Sequence, residues 1–409
     1  MRNILLFGLA FLLIFAPVAR GAVRIWSISI VLLVETFLVF LWLWRANNAD
    51  TYSFKRTKLD YPILLFAIIA VISFIFSVYR HDSFYALVRL FGYIGIYYLV
   101  VNEFDHDLRK KLVWFIIFTG TAISAYGILQ YFGTLNREWW FPQGFLASTY
   151  VNHNHFAGYL ELIIPFTIGF ILKINWRNTD AGKKGAGLWN IALLPALVIM
   201  MMAFVLTQSR GAWLALFASF FVISVVYINT IRTNKKAVIV LILIVIIAVS
   251  FFYFGKEVVS ERMDLITGAR APNTSTQTRL LIWRGTIDLI TNSPLIGCGI
   301  GDYIWAFTRF RPEGLDVTAN SAHNDYLEMA AEMGIAAPVI FILMIAIIIT
   351  SVIKNSRVDP LRVGCVAGIL SLSLHGLVDF NFHIPANMLL FTVYAAIIMS
   401  TSREHKEER

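Results

Sequence analysis

Twelve long apolar stretches, separated mostly by short polar segments, follow one another along the chain. They lie at residues 3–19, 25–44, 61–78, 84–101, 112–132, 155–172, 187–206, 211–229, 237–254, 335–353, 363–378 and 386–400. A helix that spans a bilayer needs about 20 apolar residues, and these stretches lack the period-two alternation of transmembrane β-strands. Because a backbone inside the bilayer must satisfy its own hydrogen bonds, we predict an all-α polytopic membrane protein with about 12 transmembrane helices.

One polar segment, at residues 255–334, is much longer than the others. It divides the chain into helices 1 to 9 at residues 1–254, an extracytoplasmic loop at 255–334, and helices 10 to 12 with a cytoplasmic tail at 335–409. Within the loop, apolar residues recur with helical spacing at 278–291 and 321–334, which predicts two short helices. The glycine-rich residues 294–303 between them predict a turn.

Gly297, Gly299 and Gly301 in this turn form a GxGxG sequence that resembles a nucleotide-binding loop. The segment does not follow a strand of a βαβ unit, and the second half of the dinucleotide fingerprint is missing. We therefore interpret it as a tight turn in which glycine adopts a positive φ.

The basic residues indicate which side of the membrane each connection occupies. With the N-terminus in the cytoplasm, most of the 34 lysines and arginines fall in inner connections. The short outer connections hold only Arg20, Arg24, Arg80 and Arg137, in agreement with the positive-inside rule. Both chain ends are then cytoplasmic.

The composition, 58% hydrophobic and 14% charged, excludes a soluble enzyme. The net charge of +9 reflects membrane topology rather than nucleic-acid binding.

A few charged residues fall within the apolar stretches or at their ends. Charges inside a bilayer are costly, so Glu35, Arg89 and Glu161 either form ion pairs between helices or belong to a functional site. Arg89 and Glu161 lie within about two helical turns of the predicted outer face. Arg210 lies in the polar break TQSRG between the seventh and eighth stretches, where a guanidinium can bind a phosphate through two parallel hydrogen bonds.

His153 and His155, in the sequence NHNH before Glu161, have two interpretations. The three side chains offer ligands of the kind that bind zinc. The same polar residues are also typical of the start of a helix, and we favour that reading, with no metal bound.

His323 has several titratable neighbours in the sequence AHNDYLE. On a helix, Asp325, Glu328 and Glu332 share one face, while His323 points about 160° away from Asp325. One interpretation is that the acids form a solvated stripe. His323 then lies at the start of the helix beside Ser321 and Asn324, which are typical capping residues. The imidazole of His323 can then accept a proton from a hydroxyl near neutral pH.

Arg279 and Arg284 lie about 140° apart on the first predicted loop helix, so both cannot face one ligand squarely. Arg284 has Asp288 at i+4, which predicts a structural ion pair. Arg279 lacks such a partner and is the better candidate for ligand binding. Together with Arg309 and Arg311, these residues suit an anionic partner outside the membrane.

Five segments, in this order, resemble the O-antigen ligase and O-antigen polymerase superfamily. They are residues 152–161 (NHNHFAGYLE), 207–213 (TQSRGAW), 279–285 (RLLIWRG), 293–303 (SPLIGCGIGDY) and 322–334 (AHNDYLEMAAEMG). The architecture is similar as well, since these proteins have many transmembrane helices and a long outer loop late in the sequence.

The resemblance implies glycosyl transfer at the outer face of the bacterial inner membrane, without ATP, metal or another cofactor. The donor is a glycan on undecaprenyl diphosphate, and the acceptor is a hydroxyl of lipid A core in ligases or of another lipid-linked repeat in polymerases. It further implies that Arg210 and Arg279, or Arg284 in place of Arg279, hold the diphosphate and that His323 is catalytic. The expected second-shell or acceptor-side residues are Arg89, His153, His155, Glu161, Asn324, Asp325 and Glu328.

Alternative functions remain open at this stage. We favour a ligase over a polymerase, and transfer to a protein or a cell-wall polymer fits the same residues. A polysaccharide transporter or flippase would also have twelve helices, but its polar residues would gather near the midplane of the membrane. A structural scaffold would not explain the outer arginines.

Overall fold

The computed structural model describes residues 2–133, 144–174, 184–227, 274–353 and 359–407. These residues form helices joined by loops and turns, with no strand among them. The described helices are α1 Arg2–Val18, α2 Ile25–Asn47, α3 Asp60–Ile75, α4 Arg80–Glu103, α5 His106–Tyr131, α6 His153–Lys173, α7 Lys184–Leu206, α8 Arg210–Tyr227, α9 Thr274–Asn292, α10 Tyr303–Phe307, α11 Asp325–Met333, α12 Ala336–Ile353, α13 Pro360–His375 and α14 Pro385–Glu407. Short 3₁₀ turns lie at Arg20–Ala22, Thr308–Phe310 and Asn381–His383.

Eleven of the fourteen described α-helices coincide with predicted apolar stretches, and the other three, α9 to α11, lie in the long polar segment. Among the described residues, five helices, α2, α4, α5, α6 and α12, are long and apolar enough to cross a membrane. Shorter apolar helices occupy six further predicted stretches. The ninth stretch, 237–254, lies outside the described residues. The prediction of an all-α membrane protein is confirmed, whereas the number of twelve transmembrane helices stays a prediction.

Side chains at the helix starts satisfy backbone N–H groups that have no partner within the helix. Asn152 accepts a hydrogen bond from the N–H of Asn154 at 2.8 Å at the start of α6. Asn324 accepts from the N–H groups of Tyr326 and Leu327 at the start of α11. The predicted capping at both positions is confirmed, and each cap fixes where a polar loop meets the first turn of its helix.

The helices α6 and α13 form the centre of the bundle. Every residue of α6 from His155 to Ile171 is buried. Glycines allow the two backbones to approach closely: a Cβ added at Gly364 would lie 3.1 Å from the Cα of Phe166, and one added at Gly368 would lie 3.0 Å from the Cα of Leu162. Small residues at such crossings permit the van der Waals packing that holds helices together in a bilayer.

Replacing Gly364 with leucine should separate α6 from α13. Overpacking of a close contact typically costs about 1–3 kcal/mol, and here the added side chain would meet backbone that cannot move aside. We expect a lower unfolding temperature for the purified protein in detergent. The matched control is Val363→Leu, at a half-buried neighbouring position. Equal unfolding temperatures for the two variants would contradict this description of the interface.

The glycine-rich turn before α10 packs against the end of α11. Gly297, Gly299 and Gly301 have φ values of 76°, 119° and 80°, so the predicted tight turn is confirmed. The N–H of Gly299 donates to the carbonyl of Glu332 at 3.0 Å. This contact fixes the end of α11 to the turn, and the hydroxyl of Ser73 on α3 donates to the same carbonyl at 2.7 Å, which connects α11 to the bundle.

Candidate functional site

A buried carboxylate, Asp379, lies in the loop between α13 and α14 and has three imidazoles around it. Its Oδ1 atom is 3.7 Å from Nδ1 of His323 and 3.9 Å from Nε2 of His155. Its Oδ2 atom is 3.9 Å from Nε2 of His375. The N–H of Phe380 donates to Oδ1 at 2.9 Å. Residues from α6, α13 and the segment before α11 thus converge on one negative charge.

The imidazoles decide the ionisation of Asp379. Burial alone would raise its pKa, but the neighbouring rings of His323, His155 and His375 outweigh burial and lower the pKa below its ordinary value. Asp379 is therefore a carboxylate at neutral pH, and a carboxylate beside an imidazole stabilises the protonated ring.

His323 connects this buried charge to the exterior. A third of its side chain is exposed, while its ring meets the ring of Phe380 edge to face at a centroid distance of 5.0 Å. Its φ of 49° lies in the left-handed region, which costs a non-glycine residue about 1–3 kcal/mol and is typical of functional sites. The arrangement places a partly exposed imidazole, able to accept a proton, against a fixed anion.

Arg210 is the first residue of α8 and is exposed. A Cβ added at the adjacent Gly211 would lie 3.2 Å from the ring of His375, so the start of α8 packs directly on this histidine. The carbonyl of Thr207, just before α8, is 2.8 Å from Nδ1 of His153. A helix N-terminus favours anions, and an arginine at that position adds a full positive charge.

Arg279 lies on α9, half-buried. It is one helical turn before Trp283 and shares a face with it. The indole N–H of Trp283 donates to the carbonyl of Ala322 at 2.9 Å, so this face of α9 is turned toward the segment that carries His323. Arg279 also lies within electrostatic range of His153. The structure therefore brings Arg279 to the same group of histidines that the start of α8 contacts.

The predicted ion pair between Arg284 and Asp288 is wrong. Both side chains are described, both are exposed, and they do not lie within salt-bridge distance of each other. The physical reason is that an exposed pair gains little in water while two side chains lose freedom. The structure therefore does not assign Arg284 the structural role that its spacing suggested.

The acidic face of α11 is the second correction. Asp325, Glu328 and Glu332 do share one face, but all three are buried, so the predicted solvated stripe is wrong. The loop between α13 and α14 folds over this face and supplies His383. Its Nδ1 atom is 2.9 Å from Oδ1 of Asp325, and its Nε2 atom is 3.4 Å from Oε1 of Glu328.

This packing shifts the pKa of both partners. Burial alone favours neutral His383, but the carboxylates of Glu328, Asp325 and Glu332 outweigh it and raise its pKa to about 10. Burial raises the pKa of Glu328 to about 8, although His383 acts in the opposite direction.

Ligand atoms of Glu328, Glu332 and His383 lie within 4.8 Å of one another, a spacing that could hold a metal ion. Protonated His383 supplies positive charge at the same position.

The side chains of His153, His155 and Glu161 point to different partners. His153 contacts the carbonyl of Thr207, and His155 faces Asp379. Glu161 is fully buried and pairs with His375 at 2.8 Å. The metal site that their sequence order suggested as one reading is therefore not formed by these three residues.

Arg89 acts on buried carboxylates of α2 and α11. It is half-buried in α4 and within electrostatic range of Glu332 and of the fully buried Glu35. The structure thus places Arg89 within electrostatic range of the acidic face of α11.

Residues 195–342 match a family model described as O-antigen ligase. This match confirms the resemblance to the O-antigen ligase superfamily. The region similar to O-antigen ligases carries Arg210, Arg279, His323 and the whole of α11. A comparison with curated proteins gave no match.

Four residues that complete the site lie outside the region that matches the O-antigen ligase model. Glu161 lies before it, and His375, Asp379 and His383 lie after it. Our sequence analysis did not select the last three. A signal was present, because His375 and Asp379 lie four residues apart where the eleventh apolar stretch ends, a spacing that puts both on one face of a helical turn.

Proposed function

We propose that this membrane protein is a glycosyltransferase that moves a glycan from an undecaprenyl-diphosphate carrier to an acceptor hydroxyl at the outer face of the inner membrane. We further propose that it acts as an O-antigen ligase, with lipid A core as the acceptor. The observation that carries the proposal is the partly exposed His323 against the anionic Asp379. The start of α8, with Arg210, packs on His375, and α9, with Arg279, is hydrogen-bonded to Ala322, the residue before His323. The O-antigen ligase match supports it.

The proposed reaction uses these groups in one displacement. The acceptor oxygen forms a bond to C1 of the donor sugar, and the bond from C1 to the diphosphate oxygen breaks with its electron pair leaving on undecaprenyl diphosphate. The hydroxyl proton passes to His323, and Asp379 stabilises the resulting imidazolium. Attack opposite the leaving group inverts the configuration at C1.

Arg210 and Arg279 have the chemistry to bind the leaving group. Negative charge grows on the diphosphate as the C1 bond breaks, and guanidinium groups stabilise that charge more in the transition state than in the ground state. We propose that these two positive charges suffice and that the reaction needs no metal or other cofactor. Transfer should then proceed equally with and without EDTA.

A reconstituted assay tests the function. Purified protein in proteoliposomes receives a labelled undecaprenyl-diphosphate oligosaccharide together with lipid A core. A conjugate of lipid A core and labelled glycan is expected, and it would support the ligase. A ladder of longer lipid-linked chains would support the polymerase instead. Movement of intact donor across the bilayer without transfer would overturn the enzyme proposal in favour of a flippase.

We propose an orientation of the chain in the membrane, based on the distribution of its basic residues. The N- and C-termini lie in the cytoplasm, and residues 255–334 form the extracytoplasmic loop between nine and three transmembrane helices. Arg210, Arg279 and His323 then share the outer face, where a lipid-linked glycan presents its diphosphate.

A further inference from the structure

A continuous row of buried titratable groups extends from His323 into the membrane bundle. Asp379 lies against His323, His375 lies against Asp379, and Glu161 lies against His375. The last contact is the shortest, with 2.8 Å between Nδ1 of His375 and Oε2 of Glu161. The reaction proposed above uses the first two groups and leaves the last two without a role.

We propose that Glu161 is a positioning residue that holds His375 as a buried imidazolium, and that this cation keeps Asp379 ionised and directed at His323. The inference rests on the proposed function, because it assigns His323 as the base. Glu161 itself lies too deep to touch a substrate, since its side chain is fully buried.

The burial of the pair is the first argument. A carboxylate in an apolar bundle is stable only when it is paired and hydrogen-bonded. Both oxygens of Glu161 are used: Oε1 accepts from the hydroxyl of Ser371 at 2.8 Å, and Oε2 meets His375. Only 1% of His375 is exposed, so water does not screen the interaction between the two charges.

The surroundings of His375 provide the second argument. Glu161, His153 and His155 face it from α6, and Asp325 acts on it from α11. From α8, Gly211 packs on its ring and brings in the start of the helix that carries Arg210.

Of these groups, Glu161 is the carboxylate that makes a direct hydrogen bond to the ring. The other carboxylate in contact, Asp379, lies 3.9 Å from Nε2. An opposite charge at hydrogen-bond distance shifts a titration by about 1–3 pH units toward the charged form.

Replacing Glu161 with glutamine tests this role. Glutamine keeps the shape and can still accept from the ring, but it removes the charge, so His375 should lose its proton as the pH rises. We expect the ratio of variant to wild-type turnover to be near one at pH 6 and to fall about tenfold by pH 8.5. KM for the labelled undecaprenyl-diphosphate oligosaccharide should stay unchanged, because Glu161 does not reach the substrate.

Glu103→Gln is the matched control, since Glu103 is another buried carboxylate with a basic partner, Arg45, but lies at the end of α4, outside this row. Its ratio to wild type should not change with pH. A flat ratio for Glu161→Gln as well would mean that Glu161 only fills space, and the inference would be wrong.

Nuclear magnetic resonance of ¹⁵N-labelled histidines in nanodiscs gives a readout that needs no turnover. The signals of His375, assigned with His375→Gln, should show a protonated ring between pH 6 and pH 8.5 in the wild type and a titration in Glu161→Gln. Identical behaviour in both proteins overturns the inference. The proposed function fails separately, if His323→Asn retains full transfer.

Discussion

Replacing His323 with asparagine should lower the turnover of glycan transfer about a hundred- to ten-thousandfold, the range typical of a lost general base. Asparagine tolerates the left-handed backbone conformation that His323 adopts at φ 49°, so the loop should keep its shape. The variant cannot take the proton of the acceptor hydroxyl. KM for the proposed lipid-linked donor should change little, because the arginines proposed to bind its diphosphate remain. Single-turnover assays with labelled donor measure both quantities.

Asp379→Asn provides the matching test of the pair. If Asp379 acts by stabilising protonated His323, the double variant should be little slower than His323→Asn alone, because residues that act as a unit have non-additive effects. His81→Asn is the control, since His81 is an exposed histidine in contact with Asp82 rather than with this site. Additive losses for His323 and Asp379, or a loss in the control of similar size, would contradict the assignment.

The second large effect is expected at Arg279. Arg279→Gln should lower kcat/KM for the donor about a hundred- to a thousandfold, the cost typical of losing one group that stabilises developing negative charge. Arg279→Lys should recover part of the loss, because lysine restores the charge but not the two-pronged geometry. Assays at varied donor concentration separate weaker binding from slower chemistry.

Arg284→Gln is the comparison that decides between the two loop arginines. Arg284 is exposed. It lies five residues beyond Arg279, so it is on a different face of α9 from the one that carries Trp283 and contacts Ala322. Its loss should change kcat/KM no more than a few-fold. A larger loss at Arg284 than at Arg279 would reverse the assignment of the diphosphate contact.

The loop helix α11 shows both what local sequence can predict and where it fails. The shared face of Asp325, Glu328 and Glu332 follows from helical periodicity, and Asn324 caps this helix as its residue type suggested. Their environment was predicted incorrectly, because His383 is 58 residues beyond Asp325 in the chain. Periodicity fixes which residues share a face but carries no information about which segment covers it.

The sequence by itself determined the helices and their approximate ends, because apolar stretches in a bilayer can satisfy their backbone only as helices. It also gave the family resemblance, together with Arg210, Arg279 and His323 as candidates. Only the tertiary structure decided that Asp379 is the partner of His323 and that Glu161 meets His375 across 214 residues of chain. Such contacts depend on how closely α6 and α13 pack. Glycines such as Gly364 and Gly368 permit that short distance, and they carry no titratable side chain from which the contact could be predicted.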